Sequence, residues 1–369
     1  MKIAAAALHR YCLPLRAGWL TAAGTLTQRR GWLLRLDTDD GARAYGDCAP
    51  LPTSGTETPA EAESALRAQA RRLIGRQGGD ALAALDKPPR LRAPAARCAI
   101  EMALLDLLSQ HAGRPLAAYL QGSRQAAGPA PGWRAVPVNA ALGSLGEVTD
   151  DAVLAACGEC FRVLKLKVGV AAVAREIDRL RQIAGLLPAG VELRLDANRA
   201  WTAGAAERFL RSCGDLPIEM IEEPLAEPRL DQLQDLQAST PIAIAVDESA
   251  ASLDLEQLLR THTVRRLVIK PTRSGGLLPA ITLARRAASA GLECIVTSSV
   301  DSACGVIAAG HLAAALDNRG VHGLATSAWL TRDTGVPPTI TGGRLMLPDA
   351  SGLGFSPGEE VVFADLDRC

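Results

Sequence analysis

Five apolar runs in the middle of this chain each stop at ionisable residues. Phe161–Leu166 runs into Lys165 and Lys167, two residues apart, and Val191–Leu195 stops at Asp196, with Asn198 just beyond. Ile218–Ile221 ends in Glu222-Glu223-Pro224, Ile242–Val246 in Asp247-Glu248-Ser249, and Leu267–Ile269 in Lys270-Pro271. Successive steps from Asp196 to Glu222, Asp247 and Lys270 are 26, 25 and 23 residues. Each step is about one strand plus one helix, so equal phase on successive parallel strands gathers these side chains at one end of a sheet. Three carboxylates gathered there repel one another unless a cation lies among them. Hard oxygen donors with open positions suit Mg2+, which keeps waters and takes further oxygens from a substrate. A lysine held near that cation and partly desolvated has a depressed pKa and can act as a base. A lysine opposite can stabilise the negative charge left when a proton leaves the carbon next to a substrate carboxylate. Singly, each feature is ordinary: Lys-x-Lys is common on a solvated strand face, and paired acids favour a helix start. The expectation rests on five strand ends in order, evenly spaced, with alternating roles.

The elements around them must hold that phase. From Val136 onward apolar strand-like runs alternate with helical ones, for example Val173, Ile177, Leu180 and Ala184 on one helix face, and Leu277–Ala290 closed by Gly291. Further units are Cys294–Val296, Ser302–Leu316 and a last strand at Val321–Leu324. Seven to eight such units in about 200 residues argue for a parallel barrel of the TIM type. An open doubly wound sheet is the alternative, but it would want a Gly-rich phosphate loop after its first strand, and none is evident. The first third has another rhythm. Trp32–Leu36, the turn Asp39-Asp40-Gly41 and Ala44–Gly46 read as a hairpin, followed by helices at Glu61–Leu73 and Ala95–His111. The expected organisation is an α+β domain over 1–120, a linker at Gly122–Trp133, a barrel over 134–329 and a C-terminal segment over 330–369.

Composition narrows the partners. The chain has 369 residues, enough for two domains, and 40 Lys plus Arg balance 40 Asp plus Glu. Zero net charge gives no broad footprint for nucleic acid or an anionic membrane, so small molecules or copies of the chain itself are expected. The apolar start Ile3–Leu8 is too short for a targeting segment, and Ala303–Leu316 is too short to span a bilayer; a cytoplasmic protein is the expectation. Nine scattered cysteines suggest reduced thiols. Cys157 and Cys160 read as a helix end running into a turn rather than half of a zinc site.

The strand ends also carry a resemblance. V-L-K-L-K-V-G (Val163–Gly169), L-D-A-N-R-A-W (Leu195–Trp201), I-E-E-P-L (Ile221–Leu225), V-D-E-S (Val246–Ser249) and V-I-K-P-T (Val268–Thr272) resemble the muconate-lactonising subgroup of the enolase superfamily. Within it the o-succinylbenzoate synthases are the most similar, through V-I-K-P-T-R-S-G-G-L, T-S-S-V-D-S-A-C-G and Y-G-D-C-A-P-L-P. The resemblance implies a modified TIM-type (β/α)7β barrel with an N-terminal α+β capping domain, to which the C-terminal segment returns. It implies Mg2+ on Asp196, Glu222 and Asp247, Glu222 being two residues before the proline. Lys167 would be the base, Lys270 would face it across the substrate, and Lys165 would support Lys167. Ser298 and Ser299 would line the succinyl side of the pocket, with Asn198 among the substrate-binding residues. Pro52–Thr58 of the cap would cover the mouth. The implied reaction is dehydration of 2-succinyl-6-hydroxy-2,4-cyclohexadiene-1-carboxylate to o-succinylbenzoate, through an enediolate.

Two departures qualify this. Gly46-Asp47 stands where the family has Gly-Glu, and Gly323–Thr326 lacks the Asp-x-Asp with which dipeptide epimerases hold an amino group. Racemisation of an N-acylamino acid, particularly an N-succinylamino acid, would use the same site, with Lys167 and Lys270 each serving one face. A non-catalytic binding module is the reading of a different class, opposed by the presence of all five charged strand ends.

Overall fold

Two long strands, β1 (Ile3–Thr21) and β2 (Gly24–Thr38), form an antiparallel ribbon, and β3 (Arg43–Cys48) extends it through the turn at 39–41. The structure is a computed structural model that describes residues 1–21, 24–87, 91–122, 133–316 and 320–366; the expected linker lies largely outside them. Gly41 takes φ +86° in that turn, which L-residues with a Cβ avoid. The β1–β2 register breaks between Pro14 and Trp19, where proline lacks a ladder donor. One sheet face packs Ile3, Leu8, Leu34 and Leu36 against α1 (Pro59–Leu73) and α3 (Pro94–His111), with α2 (Gly78–Ala84) alongside. Thr58 and Glu61 form a reciprocal capping box that starts α1.

Helix α3 is buried on nearly every side and belongs to two cores. Ala99, Ile100, Ala103 and Leu104 pack in the cap, whereas Cys98, Met102 and Leu105 pack with the barrel. Close approach explains Gly46: a Cβ there would stand 1.9 Å from the carbonyl oxygen of Ala99.

After α4 (Leu116–Gln121) and β4 (Ala135–Pro137), seven parallel strands follow in chain order. They are β5 (Ala140–Ser144), β6 (Val163–Lys167), β7 (Glu192–Asp196), β8 (Ile218–Glu222), β9 (Ala243–Val246), β10 (Arg266–Ile269) and β11 (Glu293–Val296). The helices between and after them are α5 (Asp150–Gly158), α6 (Val173–Ala184), α7 (Ala203–Ser212), α8 (Leu230–Ala238), α9 (Leu255–Thr261), α10 (Pro271–Ser274), α11 (Leu277–Ser289) and α12 (Ala303–Leu316). The strands alternate faces: Ile221, Ile244, Leu267 and Ile269 join the helix layer, while Met220, Ala243, Ala245, Val268 and Ile295 form a small inner cluster. The curled sheet under its cap is the modified TIM-type architecture expected from the sequence.

The expected last strand at Val321–Leu324 is reduced to two bridges, His322 to Val138 and Gly323 to Thr297. These close the barrel between β11 and the segment before β5. His322 spends its ring here, accepting the N–H of Val296 on Nδ1 at 3.0 Å. A Cβ on Gly323 would lie 2.7 Å from the Thr297 side chain, which explains a glycine at the seam. The hairpin β12 (Ile340–Thr341) and β13 (Arg344–Met346) pairs with β4, and β14 (Ala364–Asp365) pairs with β1, opposite Ala7 and Leu8. Cys157 and Cys160 sit where α5 ends, and Cys160 takes φ 64° in the turn. No helix among the described residues is long and apolar enough to cross a membrane.

Candidate active site

Inward phase brings the charged strand ends together. Lys165 and Lys167 on β6, Asp196 on β7 and Glu222 on β8 point to the inside of the barrel, and Asp247 and Lys270 follow β9 and β10 in the same phase. All six line one cleft that opens to solvent. Asp196, Glu222 and Asp247 are 4%, 3% and 2% exposed, an arrangement that buried carboxylates tolerate only with counter-charge. Lys165 supplies part of it, with Nζ 2.9 Å from Asp196 and 2.6 Å from Glu222. Burial alone would lower the Lys165 pKa, but these two neighbours overcome it and hold the ammonium charged. Burial first, and then the Asp196 charge, push Glu222 up to about 8. Asp247 is held well below the carboxylate range: Lys270 and Arg273 outweigh its burial. Lys270 Nζ and Arg273 Nη1 bind its two oxygens separately.

Lys167 is held differently. Its Nζ donates to Asn198 Oδ1 at 2.5 Å and stands 3.7 Å from Asp196. Burial pushes it below the usual lysine value, against the pull of Asp196. Asn198 reaches it from a left-handed backbone conformation, φ 43°, with its own N–H on Asp196 Oδ1 at 3.1 Å. Glu223, also left-handed at φ 48°, turns away from the cleft. Its Oε1 accepts the N–H groups of Asp247 (2.6 Å) and Ser249 (3.0 Å) and the Ser249 hydroxyl (2.7 Å), so it fixes the β9 end.

Ser298 and Ser299 both line the cleft, and Ser298 Oγ is hydrogen-bonded to Thr326 Oγ1 at 2.5 Å. Sequence reasoning passed over Thr297, which has the inward phase on β11. Its hydroxyl is buried in the cleft wall without a hydrogen-bond partner, as is that of Ser54 from the cap. The signal was available: two residues on from inward Ile295, as Asp196 is from Arg194. Trp19, Leu26, Leu51 and Thr53 also reach the cleft from the cap, and Arg273 lies one helical turn beyond Lys270. Thr53 and Ser54 belong to the Pro52–Thr58 segment expected over the mouth, whereas Trp19, Leu26 and Leu51 had no sequence signal.

Three buried carboxylates on neighbouring strand ends are the donor set a hard divalent cation takes. Among the described residues no three His, Cys, Asp or Glu side chains stand close enough together to hold a metal as they are. The cations present pair with these carboxylates, Lys165 with Asp196 and Glu222, and Lys270 and Arg273 with Asp247. Lys165 already draws Asp196 and Glu222 onto a single cation, and the residues present fit Mg2+ as an all-oxygen donor set.

Comparison with known proteins agrees with this arrangement. The family model "Enolase C-terminal domain-like" matches residues 147–361, and "MenC, N-terminal domain" matches residues 3–104. An o-succinylbenzoate synthase from Pectobacterium atrosepticum is 32% identical over 89% of this chain and 87% of its own length. An N-succinyl-L-Arg/Lys racemase from Bacillus cereus is 26% identical over 85% and 84%. The crystal structure of a dipeptide epimerase from Enterococcus faecalis, complexed with Mg and the dipeptide L-Leu-L-Tyr, superposes with TM-score 0.83 at 27% identity, covering 96% of this chain and 100% of that one. The first of these family models spans more than half of the chain, including the stretch that holds the charged strand ends, and the chain belongs to the enolase superfamily.

Proposed function

We propose that this chain is a Mg2+-dependent enzyme that removes the proton next to the carboxylate of an N-succinylated amino acid and returns one to the opposite face. The observation that carries the reading is that Lys167 and Lys270 stand on either side of the three carboxylate-bearing strands and line the same cleft. Mg2+ on Asp196, Glu222 and Asp247 would hold the substrate carboxylate and lower the cost of the negative charge formed on it. Lys167, neutral, takes the α-proton on one side; the C–H electrons move into an enediolate, and Lys270, protonated, delivers a proton to the other side. Arg273 supports this by binding the other oxygen of Asp247 and so fixing the carboxylate that holds Lys270 in place. The cleft wall at Gly323, Ala325 and Thr326 carries no charge, which suits a neutral amide rather than a free amine. The unpartnered hydroxyls of Thr297 and Ser54 are available to the succinyl arm.

A second reading has its own support. The N-terminal match and the relative at 32% identity favour dehydration to o-succinylbenzoate. There Lys167 would take the α-proton and pass it to the hydroxide leaving on the same face, while Lys270 would stay protonated as a counter-charge. The deciding experiment compares kcat/KM for N-succinylamino acids with that for the hydroxycyclohexadiene carboxylate, with Mg2+ present. The racemase reading expects both enantiomers to lose their α-proton in deuterated water. A tenfold advantage for the cyclohexadiene, about 1.4 kcal/mol in transition-state binding, would give the assignment to the synthase.

A further inference from the structure

We propose that Trp19 is a positioning residue for Lys167, holding its ammonium against the indole face so that the amine points at the substrate; this rests on the proton-transfer reading above. The Lys167 Nζ lies 5.5 Å from the centroid of the Trp19 ring, within the range of cation–π attraction. The other two lysines of the site are held closely by carboxylates, Lys165 by Asp196 and Glu222 and Lys270 by Asp247, whereas Lys167 has the amide oxygen of Asn198 at 2.5 Å and Asp196 only at 3.7 Å. A carboxylate that bonds an ammonium directly engages its N–H groups. An aromatic face attracts the charge without a directed hydrogen bond, so it can fix where the amine lies while leaving it to turn toward the substrate.

Trp19 pairs with Leu26 in its own ribbon just after the register break, and it is braced from the barrel side as well. Trp329 meets it edge-on at 4.7 Å and 87°. Leu15 bridges to Leu330, Arg16 Nε donates to the carbonyl of Ala328 at 3.0 Å, and the Thr331 N–H donates to the carbonyl of Pro14 at 3.0 Å. Trp329 in turn lies over Gly143, where a Cβ would stand 3.4 Å from the indole. Gly143 precedes Ser144, the register partner of Lys167 on β6. The contacts therefore form a closed circuit, Lys167 to Trp19 to Trp329 to β5 and back to β6, in which the cap contributes a single ring.

The test uses the two enantiomers of an N-succinylated amino acid and follows α-proton washout into deuterated water for each, with Mg2+ present. Lys167→Ala identifies the enantiomer whose proton faces Lys167. In Trp19→Ala, washout from that enantiomer is expected to fall at least tenfold in kcat, with washout through Lys270 within threefold of the unchanged protein and KM little altered. Trp19→Phe should recover most of the loss, and Trp329→Ala should reproduce part of it. Preserved washout on the Lys270 side reports that each variant is folded. An equal fall for both enantiomers, or a change in KM alone, would overturn the proposal and leave Trp19 as pocket wall. Absence of washout from either enantiomer in the unchanged protein would overturn the proton-transfer reading itself, and the role of Trp19 with it.

Discussion

Glu223 accepts both the backbone N–H and the hydroxyl of Ser249, at 3.0 and 2.7 Å, while its neighbour Glu222 faces the cleft on Lys165. Two adjacent glutamates thus have opposite orientations because the chain turns left-handed at Glu223. The pair separates structure from function in one dipeptide. Glu223→Gln weakens the clasp on the β9 end and is expected to lower stability by about 1–3 kcal/mol with or without Mg2+. Glu222→Gln replaces a carboxyl already pushed toward its neutral form, so stability in chelator should hold, while the rise in Tm produced by Mg2+ disappears. Thermal unfolding of both variants, with Mg2+ and with EDTA, checks this; a Mg2+ response that survives in Glu222→Gln contradicts the ligand assignment.

The two lysines should fail differently. Lys167→Ala is expected to abolish washout from one enantiomer of an N-succinylamino acid, and Lys270→Ala from the other, each by more than about a hundredfold, the usual scale of positioned acid–base catalysis. Proton NMR in deuterated water measures each face separately. If washout from both enantiomers depends on Lys167 alone, the one-sided synthase chemistry is the better account.

Thr297→Val exchanges an unpartnered buried hydroxyl for a methyl of the same shape. Stability is expected to hold or rise by about 1 kcal/mol, because the buried oxygen no longer goes unsatisfied. Turnover should suffer instead, with kcat/KM down by about tenfold if the hydroxyl serves the substrate. Denaturant melts alongside kinetics decide it: a variant both less stable and fully active would assign the hydroxyl no part in binding.

Acid stability should carry the signature of a buried imidazole. Burial pushes His311 down to about 4, while its Nδ1 accepts the Ala117 N–H at 3.2 Å and its Nε2 meets the Leu353 carbonyl at 3.1 Å. In the unfolded chain a histidine titrates near 6.5, so the unfolded state binds the extra proton between those values. The stabilising contribution of the neutral ring is full above about pH 6.5 and is lost progressively as pH falls to about 4. The stability gap between the unchanged protein and His311→Gln should therefore narrow over that window. A gap independent of pH would show that the ring is not held neutral.

How far the sequence revealed this site depended on phase. Lys167, Asp196, Glu222, Asp247 and Lys270 were legible because a strand alternates its faces and βα units have nearly constant length, so spacing alone aligned them. Thr297 was passed over for Ser298 and Ser299, since a run of three hydroxyl residues hides which one keeps the inward phase. Ribbon β1 went unread because Ala4–Ala7 shows no alternation of polarity and Pro14 interrupts it; Trp19 was lost with it. The Val321–Leu324 strand was expected from its apolar character, but the ladder is confined to His322 and Gly323, whose backbone groups bond to the segments on both sides while the His322 ring takes the Val296 N–H.

Helix α3, with one flank in each hydrophobic core and Gly46 pressed onto its Ala99 carbonyl, limits how this protein can be recombined. Exchanging the chain up to the end of α3 for that of a relative would transplant Cys98 and Met102 along with the cap, and with them part of the wall against which α12 packs Cys304. Chimeras cut in the loop after α3 would therefore inherit a mismatched seam inside the host barrel. A graft that is to retain a native interior has to exchange α3 and α12 as one unit, which makes the cap, for the purposes of protein engineering, a poor interchangeable part.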